Sequence, residues 1–281
     1  MTEDKKTEPT MGITAQLWAE LSQEHDRAIE NPHSKIDSQL CCDLIAQGAD
    51  VNAKDASSGE TLLMKAAWHG LADVVELALA HGACITDKDL VRQSALHYTN
   101  NPATMKLLLD HGADINATDQ EGYTPLHISI HGGDKDAALC LIQHGAALEI
   151  KDKNESRTPL VMAARHGRIK VVHALLEQGA NMEAKDGWGM TALIAASRSG
   201  WAEIVRTLLM KGADIEARDY KGDTAAVWAK RFMHPEVADT IVQESVRRTK
   251  AAFQQAADQG TPRPRKIIRP GKPSKKSFDI K

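Results

Sequence analysis

Apolar residues recur along this chain in short clusters at helical spacing, and two kinds of cluster alternate. One kind is rich in alanine and carries Ala66–Ala67, Ala163–Ala164 and Ala195–Ala196, small residues that let two helices pack closely. The other carries Val74–Val75, Leu107–Leu108–Leu109, Leu141–Ile142, Val171–Val172 with Leu175–Leu176, and Ile204–Val205 with Leu208–Leu209. Gly70, Gly167 and Gly200 lie between the first kind and the second, where a helix would end and the chain turn. The pattern predicts pairs of short helices joined by tight turns. Residues 15–30 show helical periodicity through Leu17, Trp18, Leu21 and Ala28. Ala238, Ile241, Val242, Val246 and Phe253 continue a longer helix near the other end.

The pairs repeat. A Gly-Ala phrase follows each second cluster, as in QGADVNAKD, HGADINATD and KGADIEARD, with its glycine at 48, 82, 112, 145, 179 and 212. The intervals are 34, 30, 33, 34 and 33 residues, a period that marks a stacked-repeat architecture. A second phrase lies between, as in YTPLHISIHGG and RTPLVMAARHG, with Thr61, Ser94, Thr124, Thr158, Thr191 and Thr224 in register. These hydroxyls are placed to cap the first helix of each pair. Pro125 and Pro159 follow where a missing N–H costs little. The Gly of Gly-Ala ends the second helix in a left-handed turn. The polar stretch after it reads as an outward β-turn finger.

These phrases and their period resemble the ankyrin repeat family over about residues 40–244. The resemblance implies an all-α repeat solenoid of helix-turn-helix units with β-turn fingers and a concave face. It divides the chain into a disordered N-terminus (1–14), an N-terminal capping unit (15–55) and five repeats (56–218). A degenerate last repeat with a capping helix (219–258) and a basic disordered tail (259–281) follow. The unit around Ser94 is three residues short, so its first helix must end near Tyr98 or Asn100, with Asn101 and Pro102 starting the next. The last unit has Phe232–Met233 where its neighbours have a glycine turn. Leu176 is expected to face both its own repeat and the next.

Charge adds one feature. Residues 261–281 hold eight basic residues and one acid, a net +7, which leaves −10 on residues 1–260 within a total of −3. A uniformly basic nucleic-acid binder is disfavoured. Nucleic acid or an anionic surface is reachable only through the tail: Arg263, Arg265, Lys266, Arg269, Lys272, Lys275 and Lys276. No run is long and apolar enough for a membrane span, and the polar start is no secretory signal. The four cysteines (41, 42, 84 and 140) form no CxxC pair and fall in or beside apolar runs, which reads as buried free thiols in a reducing cytosol.

Catalytic motifs are missing: no dinucleotide fingerprint, phosphate-binding loop, nucleophile elbow or HExxH helix occurs. Twelve histidines invite a metal reading, but they follow the repeat. His97 and His127 stand at helix starts, and His81, His111 and His144 stand at helix ends. No metal, cofactor or enzymatic activity is expected. The resemblance instead implies partner contacts from finger positions and first-helix ends. Carried over where the register is clear, these are Trp68, His69, Tyr123, Arg157, Arg165, His166, Trp188, Met190, Arg198, Tyr220 and Arg231. The expected function is a cytoplasmic scaffold or adaptor, monomeric alone, that holds a protein partner. The alternatives are a secreted bacterial effector with the same array and a regulator working through its basic tail. Trp201 and Trp228 fall outside the variable positions and are expected to pack between helices or repeats.

Overall fold

The computed structural model describes residues 12–21 and 37–258. The rest of the expected N-terminal helix and the basic tail lie outside the described residues. Helix α1 covers residues 12–21, so residues 12–14, expected to be disordered, are helical. Its Leu17 and Leu21 are buried, the Thr14 hydroxyl accepts the Asp50 N–H at 2.9 Å, and the Lys65 ammonium lies 5.7 Å from the Trp18 ring.

From Ser38 the chain runs as short helices. They are α2 (Ser38–Ala46), α3 (Leu62–Trp68), α4 (Ala72–Ala80), α5 (Ala95–Tyr98), α6 (Pro102–Asp110), α7 (Pro125–Gly132) and α8 (Lys135–Gln143). Then come α9 (Pro159–Arg165), α10 (Ile169–Glu177), α11 (Ala192–Ser199), α12 (Ala202–Met210), α13 (Ala225–Arg231) and α14 (Pro235–Asp258). Up to Ile241 they form one compact unit. The first helices α3, α5, α7, α9, α11 and α13 stack in one row, and α2, α4, α6, α8, α10 and α12 stack in a second. Each helix has only 4 to 9 residues in these rows, too short to stand alone in water, so the stacking supplies their stability. Among the described residues extended pairing is limited to two isolated bridges, Lys54 with Thr61 and Arg218 with Thr224.

The helix boundaries follow local chemistry. Thr61, Thr124, Thr158 and Thr191 each accept a backbone N–H three residues on, while Thr224 makes no such bond. The short unit has a four-residue first helix, and the Asn101 side chain accepts the N–H groups of Ala103 and Thr104 to start the next. First helices end in left-handed turns at Gly70, Gly133, Gly167 and Gly200. At Gly167 there is a second reason for glycine: a Cβ there would lie 2.6 Å from the Trp201 ring of the next unit. Met233 occupies the same turn in the last unit with φ 61°, a conformation that strains a side chain.

The alanine pairs between the rows are all buried, as are Leu108, Leu141, Leu175 and Leu208. Leu175, not Leu176, is the fully buried member of its pair; Leu176 packs at the core's edge. The reason is helical rotation: the residue after an inward position turns about 100° away. Trp228 is buried as expected. Trp201 packs across Gly167 and donates its indole N–H to the Arg165 carbonyl at 2.9 Å, yet it keeps one open side. The four cysteines are not all buried as expected: Cys41 and Cys140 are buried, Cys42 is half-buried, and Cys84 is exposed in a finger.

Val237, Ala238 and Ile241 close the first unit. The second compact unit starts at Val242 and holds the rest of α14. There Val242, Val246 and Phe253 are exposed rather than packed, so the expected apolar stripe ends its burial at Ile241. The Glu244 carboxylate meets Arg247 at 2.6 Å and Arg248 at 2.9 Å, and these bonds hold its pKa down at about 2.

Two substitutions check this packing by urea unfolding. Leu175→Ala should cost about 2–5 kcal/mol, as buried truncations do, and Leu176→Ala clearly less. Met233→Gly should stabilise the fold by about 0.5–1 kcal/mol, because the left-handed cost of a side chain, about 1–2 kcal/mol, exceeds the added chain entropy of glycine, about 0.5–1 kcal/mol.

Candidate protein-binding face

Between the helix pairs the chain runs as fingers, and each finger is organised by one aspartate. Asp55 accepts the N–H groups of Ser57 and Ser58, and Asp89 those of Val91 and Gln93. Asp119 accepts that of Tyr123, and Asp152 those of Glu155 and Arg157. Asp186 accepts those of Trp188 and Met190, and Asp219 those of Lys221 and Asp223. Neighbouring fingers are then joined by single backbone bonds. Leu90 N–H donates to the Ser58 carbonyl, Gln120 to Val91, Lys153 to Glu121, Gly187 to Glu155 and Tyr220 to Trp188, at 2.6–3.1 Å. The result is a continuous ladder from the first full unit to the last.

Side chains tie the fingers to the first-helix ends, so the two share one face. Tyr98 reaches Asp89 at 2.6 Å and Glu60 at 3.0 Å, and Lys65 pairs with Glu60 at 2.7 Å. Burial, with the bond to Asp89, pushes the Tyr98 hydroxyl above its ordinary pKa. Arg165 pairs with Glu155 at 3.0 Å, and Arg231 with Asp223 at 2.7 Å. The Trp228 indole N–H donates to Asp219 at 2.8 Å.

The expected contact residues divide under this geometry. Trp68, Trp188, Tyr220 and Arg231 are exposed on the face, with Trp188 at 55% and Tyr220 at 74%. His69, Tyr123, Arg165, His166 and Arg198 are half-buried. Two expectations fail. Met190 is 4% exposed: it lies at the base of the fifth finger, and its N–H goes to Asp186. Arg157 is 7% exposed, because its guanidinium pairs with Asp152 at 3.1 Å and its fork also reaches the Tyr123 hydroxyl. It is a brace between fingers. Leu90 and Val91, in the finger of the short second unit, are exposed apolar residues outside the expected set. Their signal is in the sequence, since two large aliphatic residues stand together where no other finger has any. Phe232 is also exposed on the face, 5.4 Å from the Trp228 ring.

Two histidines work inside the stack. The His97 Nδ1 accepts the Ser94 N–H, and its Nε2 donates to the Tyr123 carbonyl of the next unit at 3.2 Å. His127 does the same with the Thr124 N–H and the Arg157 carbonyl, at 3.3 Å each. This arrangement needs the neutral ring with its proton on Nε2. Burial lowers both pKa values, only partly offset by the carbonyl bonds. His81, His111 and His144 instead bond the carbonyl four residues back, at the helix C-termini. Among the described residues no three His, Cys, Asp or Glu side chains gather as a metal site would.

The family model described as "Ankyrin repeats" matches in three copies, over residues 28–119, 98–186 and 179–250. The chain belongs to the ankyrin repeat family. The solved ankyrin repeat domain of Bcl-3, described as a member of the IkappaB protein family, superposes with a TM-score of 0.65. It is 26% identical, and the match covers 81% of this chain and 96% of that one. The mouse B-cell lymphoma 3 protein homolog is 32% identical over 41% of this chain and 27% of its own length. Human SH3 and multiple ankyrin repeat domains protein 2 is 32% identical over 59% of this chain and 10% of its own. The chain thus spans well under two thirds of these relatives. Ankyrin repeats generally mediate protein–protein interactions, and ankyrin domains generally bind partners through the concave surface. The ankyrin fold is typically a non-catalytic scaffold.

The neutral interior histidines should make this ankyrin stack acid-sensitive. Because their folded pKa values are lowered, the unfolded chain binds protons more readily. Stability should be full above the ordinary histidine value of about 6.5 and fall as pH drops below it. Thermal unfolding between pH 7 and 5 should show this loss, and His127→Gln should reduce its slope. A melting temperature flat over that range in the wild type would contradict the assignment.

Proposed function

We propose that this ankyrin chain is a non-enzymatic scaffold or adaptor that holds a protein partner on the face of fingers and first-helix ends. The observation that carries the reading is the distribution of large rings. Trp201 and Trp228 bond their N–H groups to the protein itself. Trp68, Trp188 and Tyr220, with Phe232, stay exposed along one face. Tryptophan, tyrosine and arginine dominate binding energy at protein interfaces, and Arg198 stacks on the exposed Phe232 as well as on Trp228, where Arg231 also lies. Trp188 stands in a turn whose backbone duty is fulfilled by its N–H to Asp186. Its indole surface has no part in that turn. A cytoplasmic location fits the exposed free thiol of Cys84 and the half-buried one of Cys42.

The charge arrangement favours a second reading, in which the basic segment 263–276 works on an acidic macromolecule or membrane surface. Strong weakening by salt distinguishes it from an apolar contact, which salt affects little. A secreted bacterial effector that engages a host protein with the same array is a separate alternative, distinguished by tail-dependent translocation.

The test is calorimetric titration of a partner obtained by cross-linked pulldown of the intact protein. Trp188→Ala should weaken binding by at least about 2 kcal/mol with circular dichroism unchanged. Equal affinity of the folded variant would reject the proposed face.

A further inference from the structure

The fifth and sixth fingers differ from the rest of the face in both shape and charge. Between them lies a recess of about 210 Å³ with Trp188 and Tyr220 at its sides and Met190 and Trp228 among its lining. A second recess of about 190 Å³ adjoins it, bordered by Arg165, Ala195 and Phe232. Arg198 and Met190 line both. The Arg198 guanidinium carbon lies 5.2 Å from the centroids of both the Trp228 and Phe232 rings. A stacked guanidinium is held in place by its face, while its edge N–H groups stay able to meet a carboxylate fork.

The carboxylates nearby are already used. Asp219 accepts the Trp228 indole N–H and two backbone N–H groups. Asp223 pairs with Arg231 and Glu155 with Arg165. Asp186 is buried and holds the fifth finger. Arg198 makes no ion pair among the described residues, whereas Lys221 on the recess rim helps hold the Asp219 carboxyl below its ordinary range. Asp219 lines the recess and Lys221 offsets part of its charge, while Arg198 has no carboxylate of the described residues within ion-pair distance, so the site is a preformed recess beside a stacked and unpaired guanidinium.

We propose that this double recess accepts an extended acidic peptide segment of a partner protein, one carboxylate pairing with Arg198 and a nearby bulky apolar side chain entering between Trp188 and Tyr220. This rests on the reading of the face as a protein-binding surface and deepens it. Charge complementarity selects the occupant. The chain's own segment 261–281 carries +7 with Asp279 as its one acidic side chain, so it is poorly matched to a free guanidinium. Rings beside cations also suit single-stranded nucleic acid. The peptide is favoured because Arg198 presents one planar fork, whereas a nucleic-acid track needs a run of cations along a groove. Here the two other arginines are neutralised by their own carboxylates.

A displayed library of random dodecapeptides, selected on the full chain, tests the proposal. Enriched sequences should share an aspartate or glutamate within a few residues of Trp, Phe, Leu or Met. A fluorescein-labelled copy of the best sequence should bind Arg198→Gln about tenfold or more weakly, as loss of a charge-assisted contact gives. Arg198→Lys should recover only part of this, because lysine keeps the charge without the stacked fork. Trp188→Ala, at an exposed position, supplies the variant least exposed to misfolding and should also lose binding. Circular dichroism is the folding control throughout. Enriched peptides without an acid, or bound equally by folded Arg198→Gln, would overturn the inference. So would no enrichment at all, or an oligo(dT) decamer that binds and displaces the peptide. Displacement by a synthetic 261–281 peptide would assign the recess to the chain's own tail instead. Loss of peptide binding with Trp188→Ala but not Arg198→Gln would sink the acidic-peptide claim and leave the protein-binding face standing.

Discussion

The finger aspartates are the interaction on which the rest of the binding face depends. A turn that points into solvent has few apolar contacts to hold it, and its backbone N–H groups would otherwise fluctuate among water partners. One carboxylate per finger collects those groups. The hydrogen bonds that do this are charge-assisted, roughly twice as strong as neutral ones. At Asp152 burial raises the pKa, but the bonds from Glu155 and Arg157 outweigh it and keep the carboxyl below its ordinary range. At Asp186 burial wins, and the carboxyl is raised.

From that anchor the structure builds outward. Each fixed finger can offer a single N–H to its neighbour's carbonyl, which keeps Trp188 and Tyr220 in step. The helices behind the fingers are too short to be stable singly, and they gain stability only from the next unit. His97 and His127 add bonds that cross the unit boundary. The fold thus presents rings at a spacing set by backbone geometry, and presenting them costs a partner little further ordering.

The repeat period, the hydroxyl caps and the glycine turns made the unit architecture legible, because each is a local rule that recurs. Even the shortened second unit followed from Asn101–Pro102. What stayed illegible was whatever depends on neighbours in space. Arg157 and Met190 occupy variable finger positions, but an aspartate five residues away and the floor of a recess take them out of the surface. Leu175 and Leu176 are alike in sequence and differ by one helical step in burial. Arg165 and Arg198 look equivalent at matching helix ends. A glutamate neutralises the first, and two rings cradle the second. Cys84 looked apolar by its neighbours and proved to belong to a finger.

Amide hydrogen exchange of the full chain and of Asp186→Ala measures the dependence most directly. The wild type should protect the amides of Trp188, Met190 and Tyr220, the first two bonded to Asp186 and the third to the Trp188 carbonyl. In the variant, protection should collapse at these three amides while helices α11 and α12 keep theirs. Unchanged protection at Trp188 and Met190 would contradict the account, since it would mean the finger holds its shape without its aspartate.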